Sequence, residues 1–118
     1  MKIITGALMV AAIAVTSVVT HARELSPKEK AIIEDSAKQQ MKDPESAKFF
    51  WQDYQGGNTY CAHVNAKNSY GGYSGKALLI VGVKLDNAGK IQSADTFIHD
   101  GDTQKMMSPI CVKAGYQP

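Results

Sequence analysis

The segment Thr59-Tyr60-Cys61-Ala62-His63-Val64-Asn65-Ala66-Lys67-Asn68-Ser69-Tyr70-Gly71-Gly72-Tyr73-Ser74-Gly75-Lys76-Ala77-Leu78-Leu79-Ile80-Val81-Gly82-Val83-Lys84-Leu85 decides the fold. Its first part alternates, with Tyr60, Ala62, Val64 and Ala66 on one side and Cys61, His63 and Asn65 on the other, so Thr59 to Lys67 reads as a half-buried strand. From Lys76 to Asp86 the residues Ala77, Leu79, Val81, Val83 and Leu85 share one side and Leu78, Ile80 and Gly82 the other. The early part of this second run is apolar on both sides, which predicts a central strand covered on both faces. Between the two lies Asn68 to Gly75, too long for a tight turn and carrying Tyr70 and Tyr73 among three glycines.

Strand signals continue in both directions. Upstream, Phe49-Phe50-Trp51-Gln52-Asp53-Tyr54 favours a strand through its aromatics, and Gln55-Gly56-Gly57-Asn58 is a turn that makes it the hairpin partner of Thr59 to Lys67. Downstream, Asp86-Asn87-Ala88-Gly89-Lys90 is a turn and Ile91 to Ile98 a partner strand. A helix start stands at Ser26-Pro27-Lys28-Glu29: a capping serine, a proline at the first helical position and a glutamate that reaches back to the cap amide. This helix is expected to run to about Met41, with Ile33, Ala37 and Met41 inward and Lys28, Glu34, Lys38 and Lys42 in water. Asp43-Pro44-Glu45-Ser46 repeats the signal for one helical turn, with Asp43 as the cap. Near the C-terminus, Thr103 to Met107 reads as a short helix capped by Asp102 and interrupted at Ser108-Pro109. The fold class expected is α+β, an N-terminal helix packed on a sheet of about four antiparallel strands, with an irregular C-terminal segment stapled to it by one disulfide.

The first residues bear on location. Lys2 is followed by an uncharged stretch from Ile3 to Val19 and then by Thr20-His21-Ala22 before Arg23-Glu24. A basic start, an apolar centre and a small residue at the cut describe a secretory signal peptide, residues 1–22, removed after Ala22. The alternative is a retained anchor, but five small or polar residues, Ala11, Ala12, Ala14, Thr16 and Ser17, make the stretch only moderately apolar. Residues 23–118 then suffice for one small domain, periplasmic or secreted, with no stable membrane insertion after cleavage. The whole chain carries a formal charge of +2, with both signs interspersed, so nothing in it directs the protein to nucleic acid.

Cys61 and Cys111 are the whole cysteine inventory. In an oxidising compartment one intramolecular disulfide is expected; closing a loop of this length is worth about 4 kcal/mol by chain entropy. The alternative, a reactive thiol with His63 as its base, requires one cysteine to stay free.

No catalytic motif stands out. His63, His99, Asp53 and Asp95 are the acid–base candidates, yet none sits in a recognisable motif; the two histidines lack the spacing of a metal site, and Gly71-Gly72 and Gly75 lack the lysine and spacing of a phosphate-binding loop. His99-Asp100-Gly101-Asp102 lacks the ligand spacing of a calcium loop and reads as a plain turn. The function expected is therefore non-enzymatic: a binding module without cofactor or metal, using Asn65, Lys67, Asn68, Tyr70 and Tyr73 of the loop against a cell-envelope protein or a glycan. Tyrosines supply large amphipathic contact area at low entropic cost. Two other arrangements stay open, a loop that tucks its tyrosines against its own sheet and one fixed by Asn65 and Asn68 through side-chain to backbone hydrogen bonds. The alternative function is a structural or accessory subunit of a cell-envelope assembly, docking by an exposed helix or edge strand; a small hydrolase is the third.

Asp43-Pro44-Glu45-Ser46-Ala47-Lys48-Phe49, Tyr60-Cys61, the run Val64 to Gly75 and a cysteine near the C-terminus together resemble a family of small exported bacterial proteins and lipoproteins. The resemblance covers most of residues 23–118, with Val64 to Gly75 its most specific part. It implies bacterial origin, export and pairing of Cys61 with Cys111, and brings no activity. This chain departs from the lipoprotein members in having no cysteine near the cleavage site, and so no lipid tether.

Overall fold

The computed structural model describes Gly6 and residues 22–67 and 75–118. Residues 1–5 and 7–21, which hold most of the expected signal peptide, and the loop residues 68–74 lie outside them. The fold is α+β: helix α1 (Pro27–Lys38), a 3-10 turn (Pro44–Ser46), strands β1 (Lys48–Phe50), β2 (Thr59–Asn65), β3 (Ala77–Leu85) and β4 (Ile91–His99), and helix α2 (Gly101–Lys113). The four strands form one antiparallel sheet in the order β1-β2-β3-β4.

Register assigns the two faces. Cys61 lies opposite Ile80 and Ile80 opposite Phe97, so these three share one face; Tyr60, Val81 and Thr96 share the other. Helix α2 is bonded to the first face through the Cys61–Cys111 disulfide, with Cα atoms 5.9 Å apart. Helix α1 lies over the second, where Ser36 Oγ is 2.9 Å from Thr96 Oγ1 and the Gln40 amide donates to the Thr96 carbonyl and hydroxyl. Residues 77–81 of β3 are buried without a break, because helices cover both sides of this central strand. Tyr60, Ile33, Leu78, Leu79 and Val81 are completely enclosed; burying side chains of this size stabilises by about 1.5–3 kcal/mol each.

The N-terminus of α1 carries a full capping box between Ser26 and Glu29, and Glu29 does more than cap. It is buried and accepts four hydrogen bonds: from Arg23 Nη1 (2.7 Å) and Nη2 (2.8 Å), the Ser26 amide (3.0 Å) and the Ile91 amide at the start of β4 (2.8 Å). Arg23 also donates to the Gly89 carbonyl, and its backbone exchanges two hydrogen bonds with Tyr54. One carboxylate thus joins the N-terminal segment, the helix and the β3–β4 turn. The Arg23 guanidinium, with the two amides, holds its pKa well below the usual carboxylate range against the opposing effect of burial.

Four expected details are corrected. Helix α1 stops at Lys38, short of Met41, where the Gln40 and Met41 amides tighten into bonds with the Ala37 and Lys38 carbonyls. Asp43 makes no side-chain cap; Ser46 Oγ instead returns to the Asp43 carbonyl. The strand expected over Phe49 to Tyr54 is only Lys48–Phe50, because tyrosine hydroxyls take the backbone groups that follow. The buried Tyr60 hydroxyl accepts from the Gln52 amide and donates to the Gln52 carbonyl, and the Tyr116 hydroxyl accepts from the Gln55 amide. Tyr54 donates to the Gly57 carbonyl. Finally, the C-terminal segment is not irregular: α2 begins at Gly101, with Asp100 at the N-cap, and runs through Pro109. Proline removes one helical donor, but Ser108 Oγ donates to the Gln104 carbonyl and buried Cys111 anchors the last turn to β2.

Beyond α2 the chain closes back on the sheet. Gly115, at φ +95°, gives the left-handed turn of a Schellman motif, with the Gly115 amide donating to Val112 and the Tyr116 amide to Cys111. Tyr116 then meets Tyr60 edge-on, ring centroids 5.3 Å apart.

Candidate functional site

The face that carries α2 divides into rows running across the strands. Lys48 and Asn65 form the row nearest the β2–β3 loop; Phe50, His63, Leu78 and His99 form the next; Cys61, Ile80 and Phe97 follow, then Thr59, Gly82 and Asp95, and last Lys84 with Ser93. The end that bears the loop is the candidate binding surface, since β2 and β3 deliver it there as a stem closed by the Val64–Ala77 pair.

Of the loop residues singled out from sequence, Asn65 and Lys67 belong to this stem, whereas Asn68, Tyr70 and Tyr73 lie outside the described residues. Asn65 is half-buried at the end of β2, and its side-chain oxygen is shielded from solvent with no hydrogen-bond partner among the described residues. An amide oxygen in that position is an acceptor for a donor brought by the loop or by a ligand. The Lys67 amide donates to Ser46 Oγ at 3.0 Å, which ties the outgoing stem to the turn that redirects the chain after α1. On the returning side Gly75 adopts φ +91°, a conformation that favours glycine.

An aromatic flank adjoins the stem. The Lys76 ammonium stands 4.0 Å from the Phe50 ring centroid, with Phe50 partly exposed on β1 opposite His63. Phe49 and Trp51 stack at 5.3 Å and 11°, and Lys30 lies 5.9 Å from the Trp51 ring. The exposed Phe50 ring with Lys76 offers stacking area and positive charge to a partner, whereas Phe49 and Trp51 pack partly buried against the core on the α1 side. Sequence reasoning assigned these aromatics to a strand and did not connect them with the loop; the run Phe49-Phe50-Trp51 was the available signal. Tyr116 was overlooked as a core residue, although Gly115 before it carries the glycine that a helix end needs.

The acid–base candidates do not converge. His63 and His99 stand on β2 and β4 with Leu78 of β3 between them, which separates their backbones by roughly 10 Å. Asp95 lies opposite Gly82, two rows from both histidines, and Asp53 is exposed on the irregular segment after β1. Among the described residues no three His, Cys, Asp or Glu side chains gather into a potential metal site. Cys61 and Cys111 are both consumed in the disulfide, so neither is a thiol nucleophile in this state. The hydroxyls of Tyr54, Tyr60 and Tyr116 have pKa values raised chiefly by burial, that of Tyr60 most; they hold backbone in place and are poor proton donors at neutral pH. An open groove of about 650 Å³ lies at the opposite end of the sheet from the loop, lined by Asn58, Gly82, Lys84, Ser93 and Asp95 among others.

Comparisons with protein-family models, with curated proteins and with solved structures each return no match.

Proposed function

We propose that the protein is an exported, non-enzymatic binding module whose recognition surface is the β2–β3 loop, with Asn65, Lys67, Asn68, Tyr70 and Tyr73 contacting the partner and Phe50 and Lys76 flanking it. The observation that carries this reading is the shielded Asn65 oxygen, without a hydrogen-bond partner among the described residues, at the base of a tyrosine- and glycine-rich loop and next to an exposed ring that bears a lysine. The partner class is a cell-envelope protein or a glycan, since a tyrosine pair with amides and lysines stacks on and hydrogen-bonds to either.

Export is supported by two features. The Cys61–Cys111 bond suits an oxidising compartment. Among the described residues backbone pairing starts at Arg23 while Ala22 before it is exposed, so a cut after Ala22 leaves the contacts of Arg23 with Glu29, Tyr54 and Gly89 in place. N-terminal sequencing of the exported product is expected to read Arg23-Glu24-Leu25; a start elsewhere refutes the cleavage assignment.

The binding reading is tested by affinity capture from cell-envelope extract and on a glycan array, with the wild type beside a Tyr70→Ala/Tyr73→Ala variant of unchanged melting temperature. A discrete partner or glycan lost only in the variant is the expected result. Equal binding by both, or none by either, overturns the assignment of the loop as a recognition surface.

A further inference from the structure

Helix α2 has one side bonded down and the other uncovered. Its inward stripe is Gln104, Met107, Ser108, Cys111 and Ala114, half-buried around a fully buried Cys111. Diametrically opposite, at helical spacing, stand Asp102, Met106, Pro109 and Lys113, all exposed. Met106 is 77% exposed, and Ile110 at 44% and Val112 at 57% flank the stripe. Phe97, 54% exposed, lies on the same face of the sheet. This is an apolar surface of a kind that marks an interaction site when it is contiguous. It is also held rigid, because the disulfide and the Schellman turn fix the C-terminal end of α2.

The order of residues along the stripe names the occupant. It reads acid, apolar, apolar, base from the N-terminal end. Turned end over end by a two-fold axis passing between Met107 and Ser108, the stripe matches itself: Asp102 meets Lys113 of the second copy, and Met106 meets its Pro109. A two-fold interface requires this self-complementarity, in which each contact occurs twice. We propose that α2 is the interface of a homodimer in which it packs antiparallel against its own copy. The opposite charges at the rim set the register and the apolar centre supplies the affinity. The surface uses none of the residues assigned to the β2–β3 loop, so dimerisation presents two loops to a partner and raises the avidity of any site they form.

The test is sedimentation equilibrium of the disulfide-bonded protein, recovered after export of the full chain, from about 1 µM to about 1 mM, a range that covers the affinities of small interfaces. A reversible dimer is expected. Met106→Lys is expected to weaken it by about thirtyfold or more, as for an interface anchor. Asp102→Lys and Lys113→Asp, each turning two attractive pairs into repulsive ones, are expected to weaken it by about tenfold. Combining the two reversals restores the pairs with signs exchanged and returns the dimer to within about threefold of wild type. The three side chains changed are exposed, so native circular dichroism is expected throughout, with melting lowered slightly in the reversals, which place a base in the first turn or an acid in the last turn of α2. A monomer across the whole range, a dimer indifferent to Met106→Lys, or a double reversal as weak as the singles overturns the proposal.

Discussion

Replacing Glu29 by Gln is the sharpest single test of how the fold is held together. The shape is nearly kept, but the charge is lost, and one carboxylate oxygen that now accepts hydrogen bonds becomes an amide donor pointed at other donors. Glu29 receives four bonds, two of them from the Arg23 guanidinium and one from the Ile91 amide that begins β4. Hydrogen bonds to a charged group contribute about 1.5–3 kcal/mol each, and breaking a buried ion pair costs about 3–5 kcal/mol. The Arg23 side chain is 29% exposed and regains water once released, which places the expected loss at the lower end, about 3 kcal/mol. In a domain of this size that is a fall in melting temperature of roughly 10–20 °C. Urea titration followed by the fluorescence of Trp51 reads the loss directly. The pH dependence gives the sign. The pKa of Glu29 is lowered in the folded state, so its contribution is complete above the unfolded value near 4.3 and is lost as pH falls through the folded value. The gap between wild type and Glu29→Gln is therefore widest at pH 7 and narrows as pH falls below about 4, where the unfolded chain takes up the proton that the native carboxylate resists. A loss below about 1 kcal/mol at pH 7, or a gap independent of pH, refutes the reasoning.

Three further predictions follow from other parts of the structure. Reducing the Cys61–Cys111 disulfide is expected to cost about 4 kcal/mol; a titration that finds two free thiols in the native protein contradicts the bond. Tyr60→Phe leaves the Gln52 amide and carbonyl without their partner in a closed site, with an expected loss of about 1–3 kcal/mol and faster hydrogen exchange at the Gln52 amide; unchanged exchange there would show that the hydroxyl does not hold the segment. Gly115→Ala places a side chain at φ +95° with its Cβ 3.6 Å from the Gln55 side chain, so about 1 kcal/mol or more is lost, and an equally stable variant would argue against the Schellman turn.

Legibility differed from element to element for identifiable reasons. The β2–β3–β4 meander was plain because alternation and turn residues are local signals, and the continuous burial of residues 77–81 follows from an apolar run on both sides of one strand. The start of α1 was equally clear, since a capping box occupies four consecutive residues. The end of β1 was not, because whether Gln52 and Gln55 pair with a strand or with a tyrosine hydroxyl depends on Tyr60 and on Tyr116, the latter more than sixty residues away. Helix α2 was underestimated at Pro109 for a related reason. The local cost of proline is visible in the chain, whereas the compensation comes from Cys111 bonded to β2. In the candidate site, Asn65, Lys67 and the loop tyrosines were chosen from composition; the aromatic flank was missed because Phe50 and Lys76 meet only once β1 pairs with β2.

Sequence alone determined what depends on near neighbours: the hydrophobic period, the helix cap, the glycine turns and a cysteine count that leaves one possible intramolecular pairing. Tertiary structure decided what depends on distant residues. It made Glu29 a four-fold acceptor joining Arg23 to Ile91, turned three tyrosines into supports for an irregular segment, separated His63 from His99 by a leucine, and left one side of α2 uncovered. Each of these is set by which groups meet across the sheet, and a buried polar group takes whatever partner the packing brings within reach.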